Sequence, residues 1–257
     1  MSSLSQELVE VTEQGAAAVL ATVVEAQGGA KIEPGAKCLI RDGKVRAETI
    51  GDAKTIDAIL RESDAHMRAE KSQLVSLLIP EIAAKLEVFF EVMPAPAKLI
   101  VVGAGHIAVP LVRIAKVLEF HVTVIDDRLL YANRERFPDA DDILVGDMAQ
   151  MLKEMTLTPS CYIVLITRGH AYDEPCLRQI IHSQAKYIGM IGSRRRIKAC
   201  FQRFRDEEKV AEEVIDRVYA PIGLDIATET PAEIALSILG EVIKVSRGGK
   251  AASLSDH

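Results

Sequence analysis

The rhythm of apolar and polar positions changes once along this chain, near residue 95. From Leu4 to Gln14 apolar residues recur at helical spacing, and Ala18–Val24 is a run of strand-forming residues. Two short apolar segments flank Asp42-Gly43, a dipeptide suited to a two-residue hairpin turn. Asp52 to Met67 returns to helical spacing, with Ile56, Ile59 and Leu60 separated by charges, and Gln73–Ile79 and Leu86–Val92 read as two further strands. Met93-Pro94-Ala95-Pro96-Ala97 then makes a stiff connector, because each proline fixes its own φ and pushes its predecessor out of the helical region. Residues 1–94 are therefore expected to form a small α+β domain.

From Lys98 onward, short continuous apolar runs alternate with helical stretches. The runs are Leu99–Val102, Val122–Ile125, Ile143–Val145, Tyr162–Thr167 and Tyr187–Ile191. Such runs suit strands buried on both faces, and their alternation with helices is the mark of a parallel sheet with crossover connections. The expected fold class is α/β: a Rossmann-like doubly wound parallel sheet over 97–246, preceded by the smaller domain. Residues 247–257 have little to bury and are expected to be a loose tail.

Composition narrows the function. Aromatic residues make up 4% of the chain, with no Trp, and the formal charge is -6. Neither the stacking platforms nor the basic field of a nucleic-acid binder is present, so an anion would have to be held by local geometry. No apolar stretch is long enough to span a membrane, and the start of the chain lacks the pattern of a signal peptide. Cys38, Cys161, Cys176 and Cys200 are widely spaced and read as reduced thiols, which points to a cytoplasmic protein.

The sharpest motif is Gly103-Ala-Gly105-His106-Ile-Ala108, between an expected strand and an expected helix. In a dinucleotide fold Gly103 permits the tight turn, Gly105 admits a phosphate close to the backbone, and Ala108 lets the helix pack on the sheet. The amides at the helix start attract the anion. About 20 residues on, Asp126 and Asp127 end the second strand, where a ribose hydroxyl is commonly held, while Arg128 beside them suits a ribose phosphate.

Other candidates follow the later strands, where ligands of open α/β sheets sit. His170 and Asp173 could bind a polar ligand or transfer a proton, or Asp173 could simply cap a helix. Gly192-Ser193-Arg194-Arg195-Arg196 puts three cations in the first turn of a helix, against its dipole, which an anion would relieve; arginines splayed into water are the alternative. Gly223, Asp225 and Glu229 lie in a later loop, whereas Thr230, Pro231 and Glu233 are accounted for as a capping box. No close His/Cys spacing supports a metal site built on His106 and His170.

Five segments, taken in order, carry a resemblance: Gly-Ala-Gly-His-Ile-Ala, Val-Ile-Asp-Asp-Arg, Glu-Arg-Phe-Pro-Asp-Ala, Tyr-Ile-Gly-Met-Ile-Gly-Ser-Arg-Arg-Arg, and Ala-Pro-Ile-Gly-Leu-Asp-Ile with Glu-Thr-Pro-Ala-Glu-Ile-Ala. Over roughly Lys98 to Ile243 the chain closely resembles the XdhC/CoxI family of accessory factors for xanthine dehydrogenase-type molybdenum hydroxylases. The resemblance implies a cytoplasmic, homodimeric protein that binds the molybdenum cofactor, as molybdopterin or its dinucleotide form. It would assist the cofactor's sulfuration, with a cysteine desulfurase as partner, and deliver it to the apo-enzyme.

On that resemblance Gly103, Gly105, His106, Asp126, Asp127, Arg128, His170, Asp173, Gly192, Ser193, Arg194, Gly223, Asp225 and Glu229 would line the crevice. The family's N-terminal part carries Gly-Ser-x-Pro-Arg-x-Pro-Gly and then a glycine-rich motif with cysteine. Here Gly28–Lys37 retains only Pro34-Gly35, and the second motif has no counterpart. The same glycine loop leaves two other functions open. One is an NAD(P)-dependent oxidoreductase with His170 as acid or base; the other is a nucleotide-sensing protein that changes partners on binding.

Overall fold

A computed structural model describes residues 3–13, 16–29 and 32–252. It divides into two compact units, 1–96 and 97–257, so the chain changes unit at Pro96. The first unit contains α1 (Leu4–Glu13), β1 (Ala18–Gly28), β2 (Lys37–Arg41), β3 (Lys44–Glu48), α2 (Ala53–Ala69), β4 (Gln73–Ile79) and β5 (Ala84–Met93). Its strands form one antiparallel sheet in the order β3-β2-β1-β5-β4. Asp42 and Gly43 both take positive φ, as a tight hairpin turn requires. Asp52 caps α2 by accepting from the Thr55 N–H, and Ile59 of that helix seals one face of the sheet with Val19, Val88 and Phe90. Gln14, Ala30 and Lys31 lie outside the described residues, as does the expected tail from Ser253 onward.

The second unit contains β6 (Lys98–Val102), α3 (Ala108–Val117), β7 (His121–Asp126), β8 (Asp142–Val145), α4 (Met148–Glu154), β9 (Cys161–Leu165) and α5 (His170–Ile180). It continues through β10 (Tyr187–Met190), α6 (Arg194–Asp206), α7 (Glu212–Ile215), β11 (Val218–Tyr219) and α8 (Pro231–Arg247). All six strands are parallel, in the order β11-β10-β9-β6-β7-β8. This is the doubly wound arrangement, with the direction of winding reversing between β6 and β9. Leu99, Val101, Val122 and Val124 face a core shared with α3 and α8, while Ile100, Val102, Ile125 and Ile163 face α4, α5 and α6.

Two strand expectations need correction. β8 is an edge strand and only half-buried, so its apolar run does not mean burial on both faces. β11 has two residues, too short to register as a run, yet it pairs with Ile188 and Gly189 and completes the sheet. α8 begins with the capping box: Thr230 accepts from the Glu233 N–H, and the Glu233 carboxylate accepts from the Thr230 N–H. Its far end extends to Arg247, one residue into the stretch expected to be loose.

Candidate functional site

The reversal of winding leaves a crevice at the carboxyl ends of β6 and β9. Gly103 has φ +108, and a Cβ there would stand 2.5 Å from the Ile166 carbonyl oxygen and 2.9 Å from the Thr167 Cα. Only glycine lets the two strand ends approach this closely. Gly103 N–H donates to the Ile125 carbonyl and Ala104 N–H to the Asp126 carboxylate, each at 2.7 Å. The next two amides differ. Those of Gly105 and His106 have no acceptor among the described residues, and a Cβ built on Gly105 meets nothing within 4 Å. The loop therefore turns two amides inward to fix its shape and leaves two facing open space at the start of α3.

Asp126 supplies the fixing. Its side chain is 2% exposed, and besides Ala104 it accepts from the Arg128 N–H at 3.0 Å, Nε at 2.8 Å and a terminal nitrogen at 2.9 Å. Burial pushes its carboxyl upward, but the bonds from the Arg128 side chain and the two backbone amides outweigh burial and hold it at about 2. Its lone pairs are spent inside the protein, so Asp126 is a lock on the glycine loop and is not presented to a ribose. Its neighbour Asp127 does reach the rim, paired in bidentate fashion with Arg168 at 2.5 and 2.8 Å.

Arginines dominate the rim. The Arg128 guanidinium lies 3.8 Å over the Tyr131 ring and that of Arg168 lies 3.7 Å over Tyr172. Arg136 donates to the Ala104 carbonyl at 2.7 Å, gripping the glycine loop from outside. Thr167 donates to Asp173 at 2.5 Å, tying the end of β9 to the first turn of α5. Arg136, Arg168 and Thr167 were not among the expected site residues. Their signals were faint: Arg136 sits in the quoted Glu-Arg-Phe-Pro-Asp-Ala segment, and the other two directly follow a strand. Asp127 and Tyr172 also line a cavity of about 180 Å³ between the starts of α4 and α5, walled by Met148, Ala149 and Pro175, room enough for a flat ring.

The remaining candidates divide. His106 and His170 are exposed, on the tip of the glycine loop and at the start of α5. Asp173 is not a helix cap: Gly169 holds that position, and Asp173 lies buried in the first turn, where burial raises its carboxyl above the usual range despite the Thr167 bond. Ser193 caps α6 by accepting from the Arg196 N–H, and Gly192 precedes it. Arg194 and Arg195 are exposed, with no ion pair among the described residues. Arg196, together with His170, Asp173 and Gly192, lines a cleft of about 20 Å³, too small for more than a water. Gly223 is committed elsewhere, because a Cβ there would lie 2.4 Å from the Ser237 hydroxyl of α8, and its N–H donates to Glu241. Asp225 and Glu229 are exposed loop residues. Among the described residues no three His, Cys, Asp or Glu side chains are placed to hold a metal ion.

Against known families, residues 99–242 match the XdhC Rossmann domain, and residues 11–77 match the XdhC and CoxI family. The chain belongs to the XdhC family. It is 27% identical over 250 residues to the uncharacterized protein YqeB of Escherichia coli (strain K12), covering 93% of this chain and 45% of that protein. It is 28% identical over 184 residues to a probable xanthine dehydrogenase component of Bacillus subtilis (strain 168), covering 72% of this chain and 53% of that one. The chain thus spans about half the length of these two relatives. A solved structure described as a xanthine dehydrogenase from Bacillus halodurans shares its fold, with a TM-score of 0.55, 18% identity and coverage of 99% of this chain and 98% of that one. No helix among the described residues is long and apolar enough to cross a membrane.

Proposed function

We propose that this chain is an accessory protein of a xanthine dehydrogenase-type molybdenum hydroxylase, holding the molybdenum cofactor and passing it to the apo-enzyme. The observation that carries this reading is the pair of open amides at Gly105 and His106, facing a space that a Cβ on Gly105 would fill. That geometry fits a phosphate, which both molybdopterin and its dinucleotide form carry, and the start of α3 adds its dipole. Arg136, with no ion pair among the described residues, borders the same loop and supplies positive charge in a chain whose net charge is negative, whereas the charge of Arg128 is met by Asp126. The bound cofactor supplies the metal and the sulfur chemistry; the chain's residues grip its phosphate, leave room for its ring beside Asp127, and carry out no step of hydroxylation.

The NAD(P) reading loses its usual ribose contact, because all of the bonding capacity of Asp126 is used within the protein. Sulfur, on this proposal, comes from a partner such as a cysteine desulfurase. All four cysteines are buried and free, and burial pushes the thiols of Cys38, Cys176 and Cys200 up to about 12, so thiolates suited to carry sulfur are missing at those positions. Free thiols also suit a cytoplasmic setting. Native protein should react with a thiol reagent at least ~100-fold more slowly than the same protein in denaturant. One rapidly titrating cysteine would reopen the question of a sulfur relay within the chain.

The test of the main proposal is retention. Purified protein incubated with molybdopterin and passed over a gel-filtration column should elute with a pterin, detected by its fluorescence after oxidation. Addition of the loaded protein to an apo-hydroxylase should raise hydroxylase activity, and titration with NADH or NADPH should produce little change in nicotinamide fluorescence. Elution free of pterin would end the proposal, and tight NADPH binding would favour the oxidoreductase.

A further inference from the structure

The cavity of about 180 Å³ between the starts of α4 and α5 has two kinds of lining. Met148, Ala149 and Pro175 are apolar and the Tyr172 ring is flat, which suits an aromatic heterocycle. Its charged residues are Asp127 and Asp147, and no cationic side chain lines it, so a phosphate has no counter-charge there. The two carboxylates are not equivalent. Each Asp127 oxygen already accepts from Arg168, whose guanidinium lies over Tyr172, so this pair is a fixed part of the wall. Asp147 caps α4 through Oδ1, which accepts from the Gln150 N–H at 2.8 Å, and its Oδ2 has no partner among the described residues. The charge of Asp147 is felt at Cys176, which also lines the cavity: burial first, then Asp173 and Asp147, push that thiol up to about 12.

An ionised carboxylate accepts hydrogen bonds and donates none, and its two oxygens match a pair of N–H groups side by side. The 2-amino-4-oxopyrimidine edge presents such a pair, its exocyclic amino group beside a ring N–H. A ring with a carbonyl in place of the amino group sets oxygen against oxygen, and one with a C–H leaves half of the pair unmade. Building on the carrier reading above, we propose that this cavity is a specificity pocket for a 2-amino-4-oxopyrimidine ring, with Asp147 accepting from its amino group and ring N–H and Tyr172 flanking its face. Two parts of the cofactor can carry that edge: the pterin itself and, in a guanine dinucleotide form, the base. Either occupant leaves the phosphate to the amides of Gly105 and His106.

Calorimetric titration of the full-length protein with two matched pairs of probes tests the pocket and separates its two sources. IMP is GMP without the amino group, and 6-hydroxymethyllumazine is 6-hydroxymethylpterin with an oxygen in its place. The amino-bearing member of at least one pair should bind roughly 10–100-fold more tightly, the worth of a hydrogen bond to a charged group. Preference within the first pair identifies the base as the occupant, and preference within the second identifies the pterin. Asp147→Asn should abolish the preference, because its amide N–H group would face the amino group donor to donor. Its melting temperature should stay that of the wild type, since asparagine caps a helix as well as aspartate does. Gly105→Val should weaken GMP and IMP alike and leave their ratio unchanged. Equal affinities within both pairs, no binding of any probe at about 1 mM, or an Asp147→Asn protein with the wild-type preference would each overturn the ring assignment, even if molybdopterin is retained on gel filtration. Failure to retain molybdopterin, with the amino preference intact, would remove the carrier reading and leave the pocket standing.

Discussion

Gly103→Ala should cost the fold roughly 2–5 kcal/mol, while Gly105→Val two residues later should cost it almost nothing and abolish ligand binding. At Gly103 the backbone has φ +108, and an added methyl would sit 2.5 Å from the Ile166 carbonyl oxygen and 2.8 Å from its carbon. Those are backbone atoms at the end of a central strand and cannot rotate aside, so the sheet must open between β6 and β9. A loss of that size corresponds to a fall in melting temperature of about 5–15 °C. Gly105 has a φ outside the left-handed region and free space where its Cβ would be. Valine is accommodated there, and its branches occupy the phosphate's approach. The loss of one or two charge-assisted hydrogen bonds should weaken pterin binding by at least ~100-fold. A Gly105→Val protein that melts normally and retains cofactor at unchanged affinity would show that the phosphate lies elsewhere.

The contrast between these glycines also shows how far the sequence could be read. A parallel doubly wound sheet was legible because Leu99–Val102, Val122–Ile125 and Tyr187–Ile191 are continuous apolar runs, and burial on both faces permits little else. The glycine loop was legible because its spacing encodes a turn and an approach, and both are local. Asp126 was misread because its position in sequence is the same whether its carboxylate points into the crevice or back under Ala104; only packing decides that. Arg136 was overlooked for a related reason. It acts on Ala104 from 32 residues away, through an irregular segment with no periodicity to announce which way its side chain points. Gly223 looked like a second ligand loop, yet its missing side chain makes room for Ser237 of α8, a helix that begins eight residues later.

Asp126→Ala should destabilise the protein by about 3–5 kcal/mol, as expected when one member of a buried, hydrogen-bonded ion pair is removed. The substitution leaves the Ala104 N–H without its acceptor and takes from the Arg128 guanidinium its hydrogen-bonded counter-charge, leaving it the longer contact with Asp127 at 3.8 Å. Asp126→Asn separates the two contributions, since an amide oxygen can still accept from Ala104 but cannot pair with Arg128. The pH dependence then isolates the charge. The carboxyl lies at about 2 in the folded protein against an ordinary 3.8, so the unfolded chain binds its proton first as pH falls. Its contribution, about 2 kcal/mol, is therefore fully present above pH 4 and is lost as pH drops from roughly 4 to 2. Unfolding free energy measured across that window should fall more steeply in the wild type than in Asp126→Asn, by an amount near that figure. Because the same carboxylate orients the loop, Asp126→Asn should also bind the pterin less tightly at neutral pH, with the folded state intact. Parallel pH curves for the two proteins would mean that Asp126 carries no net charge stabilisation, and that the loop is held by Gly103 and Arg136 without it.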